Sequence, residues 1–153
     1  MTTIRRSALV MHPARNMYEL VNDVSSYPLF MEGCHGVEVF EHNDVSMLAR
    51  LDLKKAGVQI SLMTKNNLSG GASNGSYNIE MTLEDGPFKT FVGLWVFTPL
   101  TEDASKVSLD LEFEFKNKGL ALAASNLFSG VANNLVDSVC RRADKILTED
   151  HDA

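Results

Sequence analysis

The sequence predicts an α+β domain in which a curved antiparallel sheet of about seven strands wraps on one long C-terminal helix. Two observations carry this expectation. Between residues 34 and 115, apolar side chains recur at alternate positions, and turn residues separate the runs. From Gly119 to about Leu147 the apolar period changes to 3.6. Strands that follow one another without intervening helices pair antiparallel, and their shared apolar face needs a cover. The 153 residues suit one domain, 1–153, with a full core.

A leading strand comes first, and Pro13 then marks a helix start, followed by Met17, Leu20, Val21 and Val24 at helical spacing. Pro28 ends that segment, and Tyr27-Pro28-Leu29-Phe30 reads as a tight turn or a very short helix. The strands then alternate cleanly. Val107, Leu109, Leu111, Phe113 and Phe115 interleave with Lys106, Ser108, Asp110, Glu112 and Glu114, one row inward and one in water. Tyr77, Ile79, Met81 and Leu83 form a second row, Met47, Ala49, Leu51 and Leu53 a third, and Val58, Ile60 and Leu62 a fourth.

These rows set a register. Pairing Leu53 with Ile60 and Leu51 with Leu62 keeps both rows on one face, which requires a two- or four-residue loop centred on Ala56-Gly57. Other breaks fall at His42-Asn43-Asp44, Ser69 to Gly75, Asp85-Gly86-Pro87 and Thr101-Glu102-Asp103. Along the last helix, Leu120, Ala124, Leu127, Val131, Leu135, Val139 and Ile146 form one stripe, long enough to lie across the sheet.

Charge and composition narrow the function. The net charge of -6 argues against DNA binding, because phosphate contacts demand a basic excess. Cys34 and Cys140 match no CxxC or zinc spacing, and no run is long enough to cross a bilayer. The expectation is a reduced, cytoplasmic protein with no transmembrane segment. GxGxxG, P-loop, HExxH and GxSxG motifs are absent. The four histidines share no helical face and read as surface or turn residues, and Cys34 reads as a small buried residue. The apolar rows contain no Asp, Glu, Lys, Arg or His, so no catalytic residue and no metal ligand is expected.

Phe91 to Phe97 is apolar on both faces, the pattern of a central strand covered on both sides. A functional alternative has Phe91, Trp95 and Phe97 lining a ligand space while Val92, Leu94 and Val96 meet a partner or a second copy. Gly93, with Ser129 and Gly130 on the helix, would leave volume in that space. Arg141, Arg142 and Lys145 form a small basic cluster near the end of the helix.

Six segments, taken in order, resemble a known family: Arg6-Ser7-Ala8-Leu9-Val10, Leu20-Val21-Asn22-Asp23-Val24, Tyr27-Pro28-x-Phe30, Asp85-Gly86-Pro87-Phe88, Trp95-x-Phe97-Thr98-Pro99-Leu100 and Phe113-Glu114-Phe115. The resemblance is to the ribosome-association toxins within the coenzyme-Q-binding START-like (polyketide cyclase/lipid transport) family, from about Arg6 to Arg142. It implies a helix-grip fold enclosing an apolar cavity. It also implies binding of ubiquinone or a similar prenyl lipid in support of respiration, with no covalent cofactor. A further implication is docking on the large ribosomal subunit to block subunit joining, with Arg141, Arg142 and Lys145 as contacts. An antitoxin partner and a homodimer stay open, and a cyclase-type enzyme acting in the same cavity is the alternative.

Carried over by motif, Tyr27, Pro28, Phe30, Trp95 and Phe97 are the expected pocket residues. The apolar rows add Phe91 and Phe113 from the sheet, and Leu127, Val131 and Leu135 from the helix. Two positions depart from the family pattern: Glu32 stands where relatives commonly have proline, and Gly130 where a bulkier or charged residue is usual. Both are expected to alter the cavity mouth.

Overall fold

The computed structural model describes residues 1–71 and 75–152, with side chains described as far as Leu147. Seven strands form one antiparallel sheet: β1 (Thr2–Val10), β2 (Cys34–His42), β3 (Ser46–Lys55), β4 (Val58–Gly70), β5 (Tyr77–Asp85), β6 (Phe88–Thr101) and β7 (Ala104–Phe115). Their order is β1-β7-β6-β5-β4-β3-β2, a meander from β2 to β7 that β1 extends at the far edge. Helix α1 (Ala14–Asn22) and a 3-10 turn (Val24–Leu29) connect β1 to β2, and α2 (Lys118–Asp152) closes the chain.

The expected register holds. Leu53 pairs with Ile60 and Leu51 with Leu62, and the two-residue loop Ala56-Gly57 joins β3 to β4. Both loop residues have positive φ, 52° and 81°, the geometry that matches a tight hairpin to the right-handed twist of its strands. Irregularities in the β2–β3, β4–β5 and β6–β7 pairings bend the sheet around its cover. Of the loop expected from Ser69 to Gly75, Ala72, Ser73 and Asn74 lie outside the described residues, as does the His151 side chain.

Several details differ from expectation. Helix α1 stops at Asn22 because Asp23 leaves helical geometry (ψ 67°), so Val24 belongs to the following turn, which also takes in Pro28. Strand β6 is covered on one face only: Phe91, Trp95 and Phe97 are buried, whereas Val92 is 49% exposed and Leu94 and Val96 are half-buried. The stripe on α2 is wider than Leu120–Ile146 suggested, because Phe128, Ala132, Val136 and Ala143 are also buried. His12 is buried rather than superficial. Its Nε2 lies 2.9 Å from Asp144 Oδ1 on α2, and the Ser105 hydroxyl donates to its carbonyl.

Candidate functional site

The space between sheet and α2 is not one hollow. At the end where β6 and β7 meet the first turns of α2, aromatic rings fill it. The Phe128 ring lies 4.7 Å from Phe113, 4.9 Å from Phe88 and 6.0 Å from Phe91, with Phe88 stacked on Phe115. Edge-to-face packing of this kind adds to the burial of large apolar surfaces. Trp95 stacks on Phe97, which also meets the edge of Tyr18. Phe91 and Phe97 therefore pack against neighbouring rings, and Phe113, packed in the same way, also lines a half-open recess of about 330 Å³ beside the start of α2. Gly93 leaves no volume either, since a Cβ there would lie 2.5 Å from Met81 and 2.7 Å from Leu111.

A recess lies on another face of the same stretch of α2, between the helix and the Ala56-Gly57 hairpin, its helical lining running from Ala123 to Asn134 on either side of Phe128. It is a half-open groove of about 340 Å³. Val58 and Ala56 form one wall, and Leu127, Val131 and Gly130 form the other. A Cβ on Gly130 would meet nothing within 4 Å, so this helical glycine widens the groove as expected. Glu32 and Lys55 stand at the mouth, Nζ to Oε1 2.9 Å. Hydrogen bonding and charge from Lys55, helped by the charge of Arg141, hold the Glu32 carboxyl below its usual range. Glu32 and Gly130, the two positions expected to alter the cavity mouth, thus line this one groove. Gly33 fixes the adjoining backbone: φ is +89°, and a Cβ would lie 2.9 Å from Val131 Cγ2.

A second recess is small and interior, about 40 Å³, with Tyr27 and Trp95 among its walls. Buried Tyr27 donates its hydroxyl to the Val21 carbonyl, and burial drives its phenol pKa far upward. The same recess carries three polar side chains that the sequence reading missed: Asn22, Thr64 and Asn66. Thr64 and Asn66 are buried, and the Thr64 hydroxyl donates to Asn66 Oδ1 at 2.9 Å. The signal was available, because extending the Val58–Leu62 row two residues at a time places both on the inner face.

The remaining expected residues scatter. Pro28 is exposed and Leu135 half-buried. Phe30 packs edge-on to Tyr27 and carries the Arg142 guanidinium 5.6 Å above its ring. Arg141 and Lys145 are exposed, with Arg141 also within 3.4 Å of the Ser138 hydroxyl. Cys34 is buried, and desolvation pushes its thiol pKa up, away from nucleophilic chemistry. Among the described residues no helix is long and apolar enough to cross a membrane.

Comparison with known proteins agrees with this geometry. The family model for polyketide cyclase/dehydrase and lipid transport proteins matches residues 10–140. The ribosome association toxin RatA of Vibrio cholerae is 45% identical over 149 residues, covering 97% of this chain and 100% of the relative. The persistence and stress-resistance toxin PasT of Escherichia coli O6:H1 is 42% identical, covering 95% and 89%. Among solved structures, the Zhui aromatase/cyclase of Streptomyces sp. R1128 superposes with a TM-score of 0.75 at 18% identity, covering 95% of each chain. A START superfamily protein from Mycobacterium smegmatis gives 0.73 at 19%, covering 94% of this chain and 98% of that one. These structures establish the fold; the relatives that are close in sequence are named as toxins rather than enzymes. The chain belongs to the polyketide cyclase/dehydrase and lipid transport family, and within it is similar over nearly its whole length to the RatA proteins.

Proposed function

We propose that this chain is a non-enzymatic, RatA-like protein that associates with the large ribosomal subunit and hinders subunit joining. The observation that carries the reading is the 45% identity, over 97% of the chain, to a protein named for ribosome association. Arg141 and Lys145 point the same way, as exposed cations near the end of α2. Phosphate contacts made by a few such cations weaken steeply with salt. The test is sedimentation of isolated ribosomal subunits with purified protein. A loss of joined particles that fades with added salt is expected, and an unchanged ratio of joined to free particles overturns the reading.

A second activity, binding of ubiquinone or a similar prenyl lipid, is favoured by the groove along α2. Its walls of Val58, Leu127 and Val131 suit an apolar ring or prenyl unit, and each buried methylene contributes about 0.8 kcal/mol. Of the expected pocket residues, Leu127 and Val131 are the ones that line it. A cyclase-type reaction finds less support there. The groove's titratable groups are Glu32 and Lys55, and their mutual ion pair keeps Glu32 ionised and unsuited to act as a general acid near neutral pH.

A further inference from the structure

The recess beside Trp95 brings three polar side chains together in the interior, and it shares no lining residue with the groove along α2. Asn22 Oδ1 is buried there without a hydrogen-bond partner. Thr64 has given its proton to Asn66, so its oxygen remains an acceptor. A buried acceptor left unmade is costly, and native interiors satisfy such atoms. The recess is about 40 Å³, room for a hydroxyl or a water but not for a whole ring. It adjoins an open groove of about 230 Å³, because Asn22 and Val24 line both. That groove has apolar walls at Val24, Val39 and Met47, with Glu19, Asp23, Ser25 and His42 also lining it.

We infer that Asn22, Thr64 and Asn66 form a hydroxyl-recognition site for a small phenol or alcohol, whose polar end enters the recess while its apolar body lies in the adjoining groove. Asn22 is the residue that selects for a donor. A hydroxyl donates to Asn22 Oδ1 and still offers a lone pair in return, whereas a fluorine or ether of the same size leaves the acceptor unpaired. The site is independent of the ribosome and prenyl-lipid readings and stands or falls without them.

Trp95 is the single tryptophan of the chain and lines the recess, so its fluorescence reports occupancy directly. The experiment titrates the full chain with 4-ethylphenol and with 1-ethyl-4-fluorobenzene, exciting at the tryptophan edge. The phenol is expected to bind about tenfold more tightly, and Asn22→Leu to erase most of that preference while leaving the fluoro compound's affinity unchanged. Thr64→Val, which keeps the shape and removes the oxygen, is expected to reduce the preference in part. Equal affinities of the two probes for the unaltered protein overturn the inference and make the recess a solvent pocket. So does absence of binding by either probe, or a preference that survives Asn22→Leu in a folded variant. None of these outcomes depends on how Asn22→Leu folds, except the last.

Discussion

Two faces of the same stretch of helix make opposite use of the space above the sheet. Phe128 sits among three phenylalanine rings, Phe88, Phe91 and Phe113, and closes its side of the interior. Gly130 has nothing within 4 Å of where a Cβ would stand, and the wall beside it stays a groove. The lesson is that a sheet gripping a helix does not enclose a cavity by virtue of its topology. Whether space remains depends on side-chain volume on each face of the helix, because interiors pack to near-crystalline density wherever the side chains suffice.

Truncating the closed end gives the largest expected effect. Phe128→Ala removes the ring that Phe88, Phe91 and Phe113 all pack against, and a loss of about 3–5 kcal/mol is expected in urea unfolding. A small loss would mean that the aromatic end is looser than its ring distances imply. The next effect lies beside the groove, at the residue that follows Glu32. Gly33→Ala forces an L side chain to φ +89° with its Cβ 2.9 Å from Val131, at an expected cost of about 1–3 kcal/mol by the same measurement.

Tyr27 gives a smaller effect with a pH signature. Tyr27→Phe removes a buried hydrogen bond to Val21, at an expected cost of about 1 kcal/mol. Burial raises the Tyr27 phenol pKa in the folded chain above the unfolded value of about 10. Its contribution is therefore complete below pH 10 and is lost as pH rises above it, since the unfolded chain releases the proton first. Unfolding scans from pH 8 to 11 are expected to fall less steeply for Tyr27→Phe than for the unaltered chain. Tyr18, whose pKa is also raised by burial, accounts for part of the slope that remains. The smallest change runs in the opposite direction. Gly130→Ala meets no neighbour and relieves a mid-helix glycine, so a gain of about 0.5–1 kcal/mol is expected in thermal unfolding.

The strand rows and the Ala56-Gly57 turn were legible because period and turn chemistry are local properties. The register of Leu53 on Ile60 follows from which face must be dry. The filling of the interior was not legible, because Phe88 and Phe128 lie forty residues apart in sequence and meet only through the sheet's curvature. The same holds for His12, buried by Asp144 from the far end of the chain. Thr64 and Asn66 are hidden for a different reason: both are polar, and only their place in the inward alternation of β4 marks them. Of the expected pocket, Leu127 and Val131 reach the groove and Tyr27 and Trp95 the small recess, while Phe91, Phe97 and Phe113 serve as packing.

The most direct test of the division between a closed aromatic end and an open groove is backbone NMR shift mapping with a short-chain ubiquinone. Perturbations are expected at Ala56, Val58, Leu127, Gly130 and Val131, and Gly130→Leu is expected to abolish them. Shifts centred on Phe91, Phe97 and Phe113, with the groove silent, would contradict the account.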